Sequence, residues 1–237
     1  MKIAENDELK DYVDKNLYDD LSPEVISGRI IKHEKHLSSV SKDSIRRYIK
    51  SIYGRRVEDH RIQKKRKRKR GRKRAKSLKL QGRTFIDKRP KYINQRKRIG
   101  DAEADFILSG KTGKGIVLNV TDKKSRATFL EQILVVTITN VHKAFLRIKK
   151  RFPELKTFTT DNDILLQKYE ELEKLLSIKI YFCDPYSSWQ KGTVENSNKY
   201  VRRDIPKGSD ISKYSKRFIQ SLEDKLNRRI MKCLNYR

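Results

Sequence analysis

Three acidic residues of this chain stand where an enzyme acting on nucleic-acid strands would need them. Asp161 ends a short apolar run, Glu195 lies near the start of a helix-like segment, and Asp105 lies within an earlier strand-like run. Carboxylates at the ends of strands and at the start of a helix are poor core residues and good magnesium ligands. In a basic chain, the expected substrate for bound magnesium is a phosphodiester. The pattern therefore predicts phosphoryl transfer on nucleic acid.

The spacing alone does not decide which acid of the first strand takes part. Two-metal phosphoryl transfer needs carboxylates that converge on ions ~4 Å apart. Asp101, Glu103 and Asp105 occupy alternate positions of one run, and the period-two alternation of a strand puts all three on the same face. From the residues themselves, all three stay candidates.

The composition indicates a polyanionic partner. Lys and Arg number 59 against 30 Asp and Glu, a formal net charge of +29, so binding to nucleic acid should weaken steeply with salt. A structural RNA-binding protein can carry the same charge, and the charge alone does not separate it from an enzyme. The two cysteines form no CxxC pair, which fits a reducing cytoplasm and indicates neither a disulfide framework nor zinc.

Other classes of protein are disfavoured by missing patterns. The sequence has no apolar stretch near the ~18 residues that span a bilayer and no signal-peptide core at its start. We therefore expect a soluble, cytoplasmic protein without a membrane partner. It also has no Gly-x-x-x-x-Gly-Lys-Ser/Thr loop, so no nucleotide cofactor is expected.

Residues 1–56 are predicted to form a small all-α DNA-binding domain with a helix-turn-helix. Apolar residues recur at helical spacing over 8–17, 23–31 and 41–52. The third helix has the features of a recognition helix, with four cations on its polar face: Lys42, Arg46, Arg47 and Lys50. A three-helix bundle with a solvated basic face has the same pattern, and this alternative stays open.

Residues 57–98 are predicted to be a basic linker. The segment 64–74 holds ten basic residues around Gly71, which repel one another and cannot pack into a core. We expect a sequence-blind phosphate tether, with insertion into a minor groove as the alternative. Its candidate DNA contacts are Arg68, Arg70 and Arg72.

Residues 99–237 are predicted to be an α/β catalytic domain. Strand-like runs cover residues 104–108, 115–120, 127–133, 156–160 and 177–182, and helical patterns follow the third, fourth and fifth of them. Three strands in succession, followed by alternating helices and strands, predict a mixed sheet flanked by helices.

The block from Cys183 to Asn196 carries a more specific signal. It combines Asp-Pro-Tyr-Ser, Trp-Gln, Gly-Thr and Glu-Asn, and it follows the run Thr-Asp-Asn at 160–162. Together with residues 21–30, 41–49 and 98–105, these motifs resemble the DDE transposases of insertion-sequence family thirty, members of the retroviral-integrase, RNase H-like superfamily. The 33 residues between Asp161 and Glu195 match that family's interval.

The resemblance implies an RNase H-like fold and a metal-dependent DNA transposase. Asp105, Asp161 and Glu195 would hold two magnesium ions, for which manganese can substitute. Asp105 is favoured over Glu103, because the family's first acid directly precedes an apolar strand continuation. The implied reaction is cleavage of transposon ends and strand transfer to target DNA without a covalent enzyme intermediate. The implied partners are double-stranded terminal repeats, target DNA and at least a second copy of the chain.

The resemblance also assigns supporting residues. Arg202 would contact transposon-end DNA, assisted by Lys199 and Arg203 on the same helix. Asn162 and Trp189 would shape the site.

Three departures from the family pattern leave a second hypothesis open. Asp163 stands where the family usually has Gly, residues 101–104 replace its usual His-Trp-Glu-Gly, and the chain is short at both ends. The alternative to a transposase is a non-enzymatic DNA-binding remnant or repressor of a decayed element. A nuclease that cuts without joining is a further rival.

Overall fold

The computed structural model describes residues 2–63, 82–185 and 187–237. Arg68, Arg70 and Arg72 lie outside these residues. The chain divides into two compact units, Met1–Lys73 with Arg228–Arg237 and Arg74–Asn227. Within the described ranges, no helix combines the length and the apolar character that crossing a bilayer requires.

Within its described residues, the first unit has four α-helices, each about three turns long. They are α1 (Asp7–Tyr18), α2 (Pro23–Lys32), α3 (Lys42–Lys50) and α4 (Arg55–Gln63). The first three begin at Asn6, Ser22 and Ser41, whose side-chain oxygens accept hydrogen bonds from backbone amides of the first turn. This capping satisfies donors that a helix start otherwise leaves free. Helix α4, which the hydrophobic pattern did not predict, extends across the boundary proposed at residue 56.

The final ten residues pack onto helix α2 of the same unit. Arg29 Nη1 donates a hydrogen bond to the Tyr236 carbonyl at 2.8 Å, Lys232 pairs with Glu24 at 2.5 Å, and Ile230 packs against the apolar core. The ring of Tyr236 lies where a side chain at position 28 would project. Gly28 therefore makes room for this contact.

The second unit is built on a five-stranded mixed sheet. The strands are β1 (Asp101–Leu108), β2 (Ile116–Asp122), β3 (Thr128–Ile133), β4 (Thr157–Thr160) and β5 (Lys179–Phe182), in the order β3-β2-β1-β4-β5. Strands β1, β2 and β3 pair antiparallel, whereas β4 pairs parallel with β1 and β5. The flanking helices are α5 (Lys91–Asn94), α6 (Ile138–Arg151), α7 (Tyr169–Leu176), α8 (Gly192–Asp204) and α9 (Lys216–Asn227). The predicted mixed sheet flanked by helices is confirmed.

Alternation along β1 separates the two faces of this sheet. Ala102, Ala104 and Phe106 belong to the apolar cluster that includes buried residues of α6 and α7. Ile107 belongs to a second cluster with residues of α8 and α9. Because side chains alternate along a strand, the acids at the odd-numbered positions of β1 share the face that carries α8.

Part of the segment predicted as a linker belongs to this unit. Phe85 forms a β-bridge with Phe182, and Arg83 and Arg89 are buried. Arg83 and Arg89 are therefore basic residues of this segment that belong to the folded unit and not to a solvated tether.

Candidate active site

Asp105 and Asp161 come together because β1 and β4 run parallel. Glu103 of β1 pairs in register with Thr159 of β4. Asp105 follows Glu103 by two residues and Asp161 follows Thr159 by two residues, so the two acids lie at equivalent positions of neighbouring parallel segments. The ammonium group of Lys191 bridges the two carboxylates, with Nζ at 2.8 Å from Asp105 Oδ1 and at 3.0 Å from Asp161 Oδ2. Two of the three predicted catalytic acids thus share one cationic partner.

Burial and charge act against each other at this site. The side chains of Lys191, Asp105 and Asp161 are 4%, 21% and 50% exposed. Burial raises the pKa of Asp105 above its ordinary value, the charge of Lys191 opposes this, and the neighbouring charge of Asp161 adds to it. Burial alone would lower the pKa of Lys191, but the two carboxylates outweigh burial and raise it. The ammonium group is therefore charged at neutral pH.

Helix α8 holds Asp105 from a second side. Asn198 Nδ2 donates a hydrogen bond to Asp105 Oδ2 at 2.6 Å, and Asn119 Nδ2 of β2 donates to Asn198 Oδ1 at 2.7 Å. Both oxygens of Asp105 accept from fixed donors, so the orientation of its carboxylate is set by α8 and β2 together.

The other two acids of β1 are committed to structural contacts. Glu103 Oε1 accepts from Lys123 Nζ at 2.8 Å, and Oε2 accepts from the backbone amides of Thr193 and Val194 at 2.7 and 3.0 Å. A carboxylate at a helix N-terminus satisfies free amides and complements the helix dipole. Glu103 thereby positions the helix that carries Glu195.

Asp101 is also occupied. It receives two hydrogen bonds from the Arg98 guanidinium at 2.7 and 2.8 Å and a third from the Thr157 hydroxyl at 2.8 Å. Of the three acids that the spacing left open, Asp105 is the one that shares a partner with Asp161.

Glu195 lies in the first turn of α8 and is partly buried. Lys191 lies four residues earlier, at the end of the 3-10 turn that precedes this helix. Within the described part of the chain, no group of three His, Cys, Asp or Glu side chains is close enough to hold a metal ion. The structure brings together two of the predicted ligands and places the third on the adjoining helix.

The donor set of Asp105 and Asp161 fits a divalent cation. Both supply hard carboxylate oxygens, which magnesium prefers. Asp161 Oδ1 is buried without a hydrogen-bond partner, although the other oxygen of that carboxylate is paired with Lys191. An unsatisfied buried oxygen beside a second carboxylate is a feature that a bound cation would explain.

Asp163, the departure from the family pattern, has a local role. Its Oδ1 accepts a hydrogen bond from the Leu165 amide at 2.8 Å, which caps the 3-10 turn Ile164–Leu166. Burial raises its pKa, and the charges of Asp161 and Asp105 raise it further. Asp163 therefore adds negative charge near the site while its carboxylate caps a turn.

The residues predicted to shape the site have different surroundings. Asn162 Nδ2 donates to the Cys183 carbonyl at 2.8 Å, and Asn162 Oδ1 accepts from Arg83 at 2.9 Å. These bonds tie the end of β4 to the end of β5. Trp189 is 73% exposed, so packing into the protein core does not explain why a tryptophan stands at this position.

The predicted DNA-binding cations of α8 fall into two groups. Lys199 and Arg203 are exposed, and Arg203 stacks on the Tyr200 ring at 4.5 Å. Arg202 is partly buried, its Nη2 donates to the Leu108 carbonyl at 2.9 Å, and its Nη1 is buried without a hydrogen-bond partner. A guanidinium with an unused buried donor suits an anionic ligand.

The cations predicted on the recognition helix lie on α3 and are all exposed: Lys42, Arg46, Arg47 and Lys50. The opposite side of α3 is buried through Ile45 and Tyr48. Arg46 pairs with Asp43 at 2.8 Å.

Sequence reasoning missed Lys191, Asn198 and the positioning role of Glu103. Asn198 stands three residues after Glu195, the spacing of neighbours on one helical face, and this spacing could have marked it as a companion of the site. Lys191 precedes the helix, so helical spacing gives no signal for it. The contact of Glu103 with α8 depends on tertiary packing, for which the spacing gave no signal.

Several known proteins are similar in sequence to this chain. No family model matches the chain. It is 35% identical over 219 residues to the transposase for insertion sequence element IS4351 of Bacteroides fragilis, covering 91% of this chain and 66% of that protein. It is 27% identical over 234 residues to the InsI transposase of element IS30A of Escherichia coli, covering 91% of this chain and 59% of the relative.

Among solved structures, part of the chain is similar to the catalytic core domain of HTLV-2 integrase in complex with magnesium. The TM-score is 0.42 and the identity 19%, over 55% of this chain and 88% of that chain. The present chain spans less than two thirds of the length of the curated transposases described above.

These relatives are insertion-sequence transposases, and the chain is similar to them over 91% of its own length. Within that class, the resemblance to insertion-sequence family thirty, the family of the IS30 elements, is confirmed.

Proposed function

We propose that this protein is a DNA transposase that cuts the ends of its element and joins them to target DNA with the help of divalent cations. The observation that carries the proposal is the convergence of Asp105 and Asp161 on one positive charge, with an oxygen of Asp161 buried and unpaired. The homology to insertion-sequence transposases supports the same reaction.

Asp105, Asp161 and Glu195 are the proposed ligands of two magnesium ions, with manganese as a substitute. Bound cations would supply Lewis-acid activation of the attacking oxygen and charge stabilisation of the leaving oxygen. The protein's own contribution is to fix the carboxylates: Asn198 orients Asp105, and Glu103 holds the start of the helix that carries Glu195.

The reaction consists of two phosphoryl transfers. Water attacks a phosphodiester at the element end, which leaves a 3′-hydroxyl on the element and a 5′-phosphate on the flanking strand. The 3′-hydroxyl then attacks a phosphodiester of the target, whose own 3′-oxygen leaves as a hydroxyl. Neither step needs a protein nucleophile. Arg202, Lys199 and Arg203 are proposed to hold the element end, and the exposed cations of α3 the terminal repeat. A dimer or larger assembly on double-stranded DNA would bring two element ends together.

The domain organisation is part of the proposal. Residues 1–56 would bind the terminal repeat through a helix-turn-helix, residues 57–98 would add sequence-blind affinity, and residues 99–237 would carry the chemistry. Arg68, Arg70 and Arg72 are the proposed phosphate contacts of the middle segment.

The test is cleavage and joining of a labelled element-end duplex with magnesium or manganese. We expect joined products from the unmodified chain, and we expect Glu195→Gln and Asp161→Asn to lose them because each removes a ligand charge while keeping the side chain's size. Salt-sensitive DNA binding should survive in both variants.

Other outcomes would replace the proposal with one of its rivals. Nicked DNA without joined product would indicate a nuclease. DNA binding without any product would indicate a non-enzymatic remnant or repressor.

A further inference from the structure

Lys191 is the part of the site that neither the sequence motifs nor the homology assigns. Its ammonium group lies within 3.0 Å of oxygens on both Asp105 and Asp161, and its side chain is almost fully buried. Burying an ammonium group is costly unless opposite charge compensates it. In this structure the two carboxylates provide that compensation.

The contact with Lys191 also affects the repulsion between the two carboxylates. Two like charges held close together repel each other, and parallel pairing of β1 and β4 holds these two close. A single cation between them offsets part of this repulsion. Lys191 supplies that charge from the start of α8, at the position that a cation shared by Asp105 and Asp161 would occupy.

Lys191 and such a cation would compete. Asp105 Oδ1 and Asp161 Oδ2 are the oxygens that Lys191 contacts, and a cation coordinated by the same two oxygens would meet the ammonium charge at close range. Because like charges repel at this range, binding of a cation to these two oxygens disfavours the ammonium position.

Lys191 lies at the junction of two helical elements. Lys191 ends the 3-10 turn Ser188–Lys191 and directly precedes the first residue of α8, Gly192. Among the described residues, apart from the chain neighbours and the nearby backbone of α8 itself, nothing lies within 4 Å of where a Cβ at position 192 would be. The backbone at this junction consequently has open surroundings.

We propose that Lys191 is a positioning residue that stands in for the cation. It holds Asp105 and Asp161 side by side in the metal-free protein, and it is displaced when a divalent cation binds. This inference rests on the proposed function for the use of a cation at these carboxylates, and it adds an internal competitor to that site.

The test is a titration of the full-length, metal-free protein with Mn²⁺, followed by electron paramagnetic resonance of the free ion. We expect Lys191→Met to bind Mn²⁺ about tenfold more tightly than the unmodified chain, because the competing charge is gone. Lys174→Met removes one positive charge from an exposed position of α7 and should leave the affinity unchanged. Lys191→Gln gives a second neutral variant if Lys191→Met does not fold.

Fluorescence gives an independent readout. Trp189 is the single tryptophan of the chain and lies in the same 3-10 turn as Lys191. We expect Mn²⁺ or Mg²⁺ to change its emission in the unmodified chain, and Lys191→Met to show a smaller change, since no ammonium group remains to be displaced.

The possible outcomes distinguish failure of this inference from failure of the proposed function. Equal Mn²⁺ affinity in the unmodified chain and in folded Lys191→Met, or weaker binding by the variant, would overturn the role of Lys191 and leave the transposase proposal standing. Failure of both proteins to bind Mn²⁺ would overturn cation use at this site, and this inference with it.

Discussion

At the scale of single residues, the site depends on how the acids of β1 are divided between chemistry and support. Asp105 and Glu103 lie on one face of the strand, two residues apart, yet their partners differ. Asp105 faces Asp161 and receives side-chain donors, whereas Glu103 receives two backbone amides of α8 and the buried Lys123. One strand face thus holds a candidate ligand and the carboxylate that positions the next one.

The ion pair of Glu103 and Lys123 gives a prediction about stability. Their side chains are 1% and 5% exposed, so Glu103→Gln leaves a buried ammonium group without its counter-charge. We expect Glu103→Gln to lower the free energy of unfolding by about 3 to 5 kcal/mol, measured by urea denaturation. The double variant Glu103→Gln, Lys123→Met should lose much less.

The control for this prediction is Glu154→Gln, at an exposed position of the same unit. It should stay within about 0.5 kcal/mol of the unmodified chain. Equal losses in the Glu103 single variant and in the double variant would show that the pair is not the source of the effect.

At the scale of elements, packing between segments far apart in sequence decides local residue choice. A glycine in the interior of a helix costs about 0.5 to 1 kcal/mol relative to alanine. Helix α2 nevertheless has Gly28, and a Cβ there would lie 2.2 Å from the Tyr236 ring. The residue is explained by the tail that packs over it, at the other end of the chain.

The contact between position 28 and the Tyr236 ring predicts that Gly28→Ala changes stability in opposite directions, depending on whether Tyr236 is present. Gly28→Ala should destabilise the chain or release the tail, because the Tyr236 ring must move. In a Tyr236→Ala background, Gly28→Ala should instead stabilise by about 0.5 to 1 kcal/mol through helix propensity. Urea denaturation of the four proteins measures both effects, and stabilisation of equal size in both backgrounds would refute the contact.

At the scale of the whole molecule, the high positive charge determines which partners the chain attracts. A formal net charge of +29 favours polyanions, and affinity for DNA should fall with salt in proportion to the number of phosphates neutralised. The candidate active site gathers carboxylates by contrast, because Asp105 and Asp161 share Lys191 and Asp163 follows Asp161 by two residues. A cation at this site would reduce its repulsion of a DNA backbone.

The basic segment gives the prediction at this scale. If Arg68, Arg70 and Arg72 each neutralise a phosphate, replacing all three with Gln should reduce the slope of log affinity against log salt concentration by about 3. Fluorescence anisotropy with a non-specific duplex at several salt concentrations measures the slope.

The matched control changes the net charge by the same amount elsewhere. Replacing Lys143, Lys150 and Lys174, exposed on α6 and α7, with Gln should leave the slope nearly unchanged. Equal reductions in both triple variants would mean that overall charge, and not contact by the basic segment, sets the salt dependence.

The sequence by itself determined the class of the fold and, through the resemblance of its motifs, indicated Asp105, Asp161 and Glu195 as candidate acids. Strand-like runs, helical periodicity and capping residues are local signals, and the five strands and the first three helices follow them. The motif around Glu195 indicated the transposase family, because its residue types and spacing are specific.

Only the tertiary structure decided how the site is assembled. The parallel pairing of β1 with β4 brings Asp105 to Asp161 across 55 intervening residues, and the packing of α8 on the sheet supplies Lys191 and Asn198. No local pattern distinguished Glu103 from Asp105, since both face the same way on one strand. Their roles differ because one carboxylate meets the start of a helix and the other meets a second carboxylate, and such encounters are fixed by packing between distant segments.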